Sequence, residues 1–69
     1  MKIEFKLENE YIELFKLLKL YGVSESGAQA KNDIADGEVF VNGETEFRKR
    51  RKIRVGDVIN VFEYEIKVN

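Results

Sequence analysis

The sequence predicts an α+β domain in which two packed helices lie on a small, mostly antiparallel sheet of about four to five strands. Two adjacent stretches carry apolar residues at helical spacing, with only a few residues between them. From residue 39 onward the chain breaks into short β-branched and aromatic runs, punctuated by Asn-Gly and Gly-Asp. At 69 residues there is room for one domain, residues 1–69, and not for a second.

Ile3-Glu4-Phe5-Lys6-Leu7 alternates apolar and polar residues, the pattern of a half-buried strand. A helix is expected over roughly residues 9–21. Tyr11, Leu14, Phe15, Leu18 and Tyr21 fall on one face, and Ile12, Leu17 and Leu20 widen the stripe. That spacing assigns Tyr11, Phe15 and Tyr21 to the core. Gly22 suits the left-handed residue that closes such a helix. Ser26 caps a second, shorter helix, and Gln29 completes a capping-box pattern. Ala30 and Ile34 give that helix its apolar side, and Gly37 stops it. Val39-Phe40-Val41 then leads into Asn42-Gly43, a tight-turn pair, and residues 44–47 return as the partner strand. Val55-Gly56-Asp57 reads as a turn, and residues 58–62 and 64–68 as strands. The expected order is β-α-α-β-β-β-β.

Composition removes several classes of function. There is no cysteine, hence no disulfide framework or thiolate chemistry. There is no histidine, which removes the usual general base, and zinc sites need one of the two. No cofactor and no metal are expected, and no catalytic constellation is visible. No apolar run is long enough to span a membrane, and Met1-Lys2-Ile3-Glu4 has no apolar signal core. A cytoplasmic protein, acting as a monomer and without a small-molecule substrate, is the expectation.

The net charge is only −1, but the charges are unevenly placed. Arg48-Lys49-Arg50-Arg51-Lys52-Ile53-Arg54 holds six of the twelve basic residues and no acid. Local field, not net charge, steers an anion, and with a Debye length of ~8 Å in physiological salt distant carboxylates cancel little of it. Guanidinium groups bind phosphate through paired hydrogen bonds at any relevant pH. The alternative is a solvated loop, although a solvated loop ordinarily mixes signs. The start of the second helix is a second anion-binding candidate, because its backbone N–H groups lack intrahelical partners. There Gly27 leaves space for close approach, and Gln29 and Lys31 offer donors. Ordinary capping and close helix packing explain the same residues. Phe47, bordering the basic run, suits either base stacking or the sheet core.

Taken together, Ser26-Gly27-Ala28-Gln29-Ala30-Lys31, Ile34, Gly37, Val39-x-Val41-Asn42-Gly43 and Gly56-Asp57-Val58 resemble the ribosomal-protein-S-four-like RNA-binding domain, or alpha-L motif. The match is closer to its small freestanding bacterial branch, the YbcJ/YaaA-like proteins, with Glu46-Phe47-Arg48-Lys49-Arg50-Arg51-Lys52 at that branch's basic motif. The resemblance covers about residues 9–62. It implies two helices on a small antiparallel sheet, and RNA binding by Ser26, Gly27, Gln29, Lys31, Arg48, Lys49, Arg50, Arg51 and Lys52. Two departures stand out. Val55 replaces the usual proline of the Pro-Gly-Asp turn. Asn32 and Asp33 replace basic residues of many ribosomal relatives, which shifts weight onto residues 48–52.

The resulting expectation is a non-enzymatic protein that binds structured RNA. The resemblance suggests ribosomal RNA, in ribosome assembly or maturation. It requires Arg48, Arg50 and Arg51 to share a surface with Ser26 and Lys31 and not to be tied up in pairs with the protein's own carboxylates. A protein-interaction module docking its basic cluster on an acidic partner is the rival. A ubiquitin-like carrier would need a Gly-Gly tail, whereas this sequence ends Val68-Asn69.

Overall fold

The computed structural model describes residues 1–69. The elements in order are β1 (Lys2–Phe5), β2 (Ile12–Glu13), α1 (Leu14–Leu20), α2 (Gly27–Ala35), β3 (Val39–Val41), β4 (Glu44–Thr45), β5 (Lys52–Ile53), β6 (Val58–Val61) and β7 (Tyr64–Val68). Five strands form a mixed sheet in the order β1-β7-β6-β3-β4, and β2 pairs with β5 in a small ladder of its own. All pairings are antiparallel except β1 with β7. The predicted α+β architecture is therefore present, with two short strands added to the predicted order.

Alternation along the strands decides which face the helices cover. Val39 and Val41 of β3, Ile59 and Val61 of β6, and Ile66 and Val68 of β7 are buried. They meet Leu14, Leu17 and Leu18 of α1 and Ala30 and Ile34 of α2 in one core. Burying aliphatic side chains of this size contributes roughly 1.5–3 kcal/mol each. Ile53 joins the same core from β5, so the basic segment is anchored to the domain through an apolar side chain. Asn42 (φ 53°) and Gly43 (φ 87°) both take left-handed backbone, the requirement of a tight primed turn between β3 and β4.

The first helix is shorter than its apolar pattern predicts. Residues 9–11 are not helical, and Ile12-Glu13 is extended. Pairing of Ile12 with Ile53 and Glu13 with Lys52 holds that segment as a strand, and this tertiary ladder overrides helical periodicity. Tyr11 is 39% exposed and lies outside the core, and Leu20 is exposed as well. Phe15 and Tyr21 are half-buried against the core rather than in it. Tyr21 makes an edge-to-face contact with Phe5, the centroids 5.7 Å apart. The strand expected over 44–47 ends at Thr45, although Glu46 N–H still donates to the Val39 carbonyl at 2.9 Å, and Phe47, 61% exposed, is not a core residue.

Candidate nucleic-acid interface

The basic segment is a loop docked by its backbone. Helix α1 begins at Leu14, and its N-cap, Glu13, makes no side-chain capping bond. The first helical N–H groups nevertheless need acceptors. Leu14 N–H donates to the Arg51 carbonyl at 2.9 Å and Phe15 N–H to the Lys49 carbonyl at 3.1 Å. The β2–β5 pairing and buried Ile53 fix the next residues, and Arg54 N–H donates to Asp57 Oδ2 at 2.9 Å. With the carbonyls of Lys49 and Arg51 turned to the helix, the cationic side chains face outward. Arg48, Arg50, Arg51 and Lys52 alone line an open depression of about 570 Å³.

Carboxylates inside this cluster correct one expectation: the arginines are not free of the protein's own acids. Glu46, 6% exposed, takes Arg48 in a two-pronged pair, Nε to Oε2 at 3.0 Å and Nη2 to Oε1 at 3.1 Å. Its Oε2 also accepts from the Arg48 backbone N–H at 2.9 Å, and its Oε1 from Arg51 Nη1 at 2.7 Å. The hydrogen bond from the Arg48 side chain, joined by that from Arg51, lowers the Glu46 pKa to about 2 against the cost of burial. Glu13 pairs with Lys16 at 3.1 Å and with Arg50 at 3.3 Å, and the Lys16 hydrogen bond leads in lowering its pKa. Glu10 lies 3.8 Å from Arg54. These pairs leave the face positive: Lys16, Lys31, Arg48, Arg50, Arg51, Lys52 and Arg54 outnumber the carboxylates paired with them, Glu10, Glu13 and Glu46. The Arg50 and Arg54 pairs are solvent-exposed, and such pairs are worth little.

Phe15 joins the loop to the tip of α2. Lys31 Nζ lies 4.7 Å from its ring centroid, the Arg50 guanidinium carbon 5.2 Å and Lys16 Nζ 5.9 Å, all within cation–π range. A Cβ on Gly27 would sit 3.6 Å from the same ring. Lys31 and Gly27 are thus brought together with Arg50, on one surface. Tyr11 plays a similar part further along, with Lys52 Nζ at 5.0 Å and the Arg54 guanidinium at 5.8 Å.

Ser26 caps α2 as expected, its hydroxyl accepting from Gln29 N–H at 3.1 Å. The reciprocal half of the capping box is absent. Gln29 Nε2 donates to Asp33 Oδ1 at 2.9 Å, while Ser24 Oγ donates to Asp33 Oδ2 at 2.8 Å. Burial of Ser24 and Asp33 makes that acceptor the stronger demand, so Gln29 is held along the helix instead of reaching outward. Lys49 keeps an exposed side chain while its backbone serves α1.

Sequence spacing assigns Phe15 and Tyr11 to the core, whereas the structure sets both rings against cations of the basic face. The signal that could have marked Tyr11 is its place in the chain: it lies near the predicted start of a helix, where a neighbouring loop must supply acceptors. Glu46 stood in the sequence only as the acid opening a basic run.

A sheet with two helices on one face and a cationic loop at a helix start defines an alpha-L-type domain. The S4 domain family model matches residues 5–69, and the chain belongs to that family. It is 48% identical over 61 residues to YbcJ of Escherichia coli (strain K12), covering 88% of this chain and 87% of YbcJ. It is 42% identical over 55 residues to RlbA of Bacillus subtilis (strain 168), named as a probable ribosome maturation protein, covering 80% of this chain and 78% of RlbA. The solution structure of Escherichia coli YbcJ, described as revealing an alpha-L motif involved in RNA-binding, superposes with a TM-score of 0.71 at 47% identity, over 94% of this chain and 84% of that one. A tyrosyl-tRNA synthetase C-terminal domain superposes with a TM-score of 0.66 at 27% identity, over all of this chain and 79% of that one.

Proposed function

We propose that this chain is a non-enzymatic RNA-binding protein, a single domain acting as a monomer, that grips folded RNA by its backbone. The depression lined only by Arg48, Arg50, Arg51 and Lys52 carries the proposal. Phe15 extends it to Lys31 and the Gly27 tip of α2, giving a continuous cationic face. Ser26 and Gln29 support the helix tip and present it; Lys49 adds charge at the rim. Double-stranded RNA is recognised largely through shape and phosphate contacts, which is what a continuous face of cations provides. The kinship to a ribosome maturation protein and to an RNA-binding alpha-L structure supports RNA as the ligand, with ribosomal RNA as the target class.

The test is the combined variant Arg48→Ala, Arg50→Ala, Arg51→Ala. It is expected to fold and to lose most affinity for ribosomal RNA fragments in a filter-binding titration. A folded variant with undiminished affinity removes the interface. Capture from lysate with and without ribonuclease separates the rival, since a partner retained after RNA digestion points to an acidic protein surface.

A further inference from the structure

We propose that Glu46 is the positioning residue of the RNA-binding face: an anion built into an anion site to hold Arg48 and Arg51 in one fixed geometry. The proposal rests on the RNA-binding reading above and deepens it. It concerns how the site achieves grip, not only that it is cationic.

An arginine presents two hydrogen-bonding forks, one from Nε and Nη2 and one from Nη1 and Nη2. Glu46 takes the Nε/Nη2 fork of Arg48 and leaves that residue's Nη1/Nη2 edge unoccupied. On Arg51 it takes Nη1 alone and leaves the whole Nε/Nη2 fork. Each guanidinium therefore keeps one complete fork for a phosphate, and both line the same depression. The carboxylate is itself immobile. It is nearly buried, it accepts from the Arg48 backbone N–H, and its own backbone N–H donates to the Val39 carbonyl at 2.9 Å. Without it, two like charges three residues apart would separate into solvent. Arg48 is 73% exposed and nothing else in the protein holds its side chain. An arginine already ordered loses less freedom on binding.

A competing carboxylate and a positioning carboxylate predict opposite signs. Glu46→Gln adds one unit to the net charge of the face, so charge alone predicts tighter RNA binding. Positioning predicts weaker binding, by about ten-fold, the scale of two side chains that must now be ordered on association. The probe is a fluorescently labelled stem–loop RNA, titrated at fixed salt. In a background of Arg48→Ala and Arg51→Ala, Glu46→Gln is expected to add no further loss, a result that a merely structural role would not give. Equal or tighter binding by folded Glu46→Gln overturns the proposal, as does a further ten-fold loss in the double-alanine background. If Glu46→Gln fails to fold, Arg51→Lys decides. It retains the charge but not two forks, and unchanged affinity in that variant likewise overturns the proposal. The triple alanine variant distinguishes the two levels. If it binds RNA normally, the interface itself is wrong; if it fails to bind while Glu46→Gln binds normally, only the positioning role falls.

Discussion

Protonation of Glu46 has a definite consequence for acid stability. Its pKa falls from 4.5 to about 2 on folding, because Arg48 and Arg51 stabilise the ionised form. A group with a depressed folded pKa contributes stability that is fully present above its unfolded value. That contribution is lost as pH drops from about 4.5 through about 2. Chemical denaturation at pH 6 and pH 3 should show the wild type losing more stability than Glu46→Gln over this interval, by about 1 kcal/mol after discounting for the exposure of Arg48. Parallel losses in both proteins would contradict the assignment. Two glycines offer a contrast at the same scale. Gly37 has φ +81°, so Gly37→Ala should cost about 1–2 kcal/mol in a thermal melt whatever the space around it. Gly27 has an ordinary backbone, and a methyl there meets Phe15 at 3.6 Å, a normal contact. Gly27→Ala should therefore stay within about 0.5 kcal/mol of wild type, with helix propensity compensating.

Among the elements, the β2–β5 ladder matters out of proportion to its size. It has two residue pairs, yet it fixes where α1 starts and where the arginines project. Ile53 is its anchor, with no exposed surface. Ile53→Ala should destabilise the domain by about 2–4 kcal/mol through loss of buried apolar contact. It should also speed hydrogen exchange at the amides of Leu14 and Phe15, whose acceptors are carbonyls of the basic loop. Unchanged protection at those two amides would show that the loop is held by other means. The same ladder explains why residues 9–13 escape the helix that their spacing suggests. Helix periodicity reports which side of a segment is apolar, not whether another strand claims its backbone.

For the whole molecule, a net charge of −1 conceals a face on which cations outnumber the carboxylates paired with them. RNA affinity should consequently depend steeply on salt. If about five cations contact phosphate, log affinity against log salt should have a slope of roughly −3.5 to −4.5. The triple alanine variant should flatten it by about two to three units. A slope near zero in the wild type would show that phosphate contacts do not dominate binding. The sheet's far side, where Lys2, Glu4, Glu65 and Lys67 alternate in sign, offers no comparable field.

Most elements were legible in the sequence because strand alternation, Asn42-Gly43 and the Ser26 cap are local signals. The α+β class, both helices and every strand of the main sheet followed from residues close to one another in the chain. The basic cluster was equally visible as composition. Tertiary structure alone decided the pairing of Ile12 with Ile53, the burial of Glu46 beneath two arginines, and the placement of Phe15 between Lys31 and Arg50. Each of these joins residues through space, and a carboxylate's partners depend on which backbone turns inward. Propensity and periodicity act over a turn or a strand; the geometry of a charged site is set by the packing that brings distant segments together.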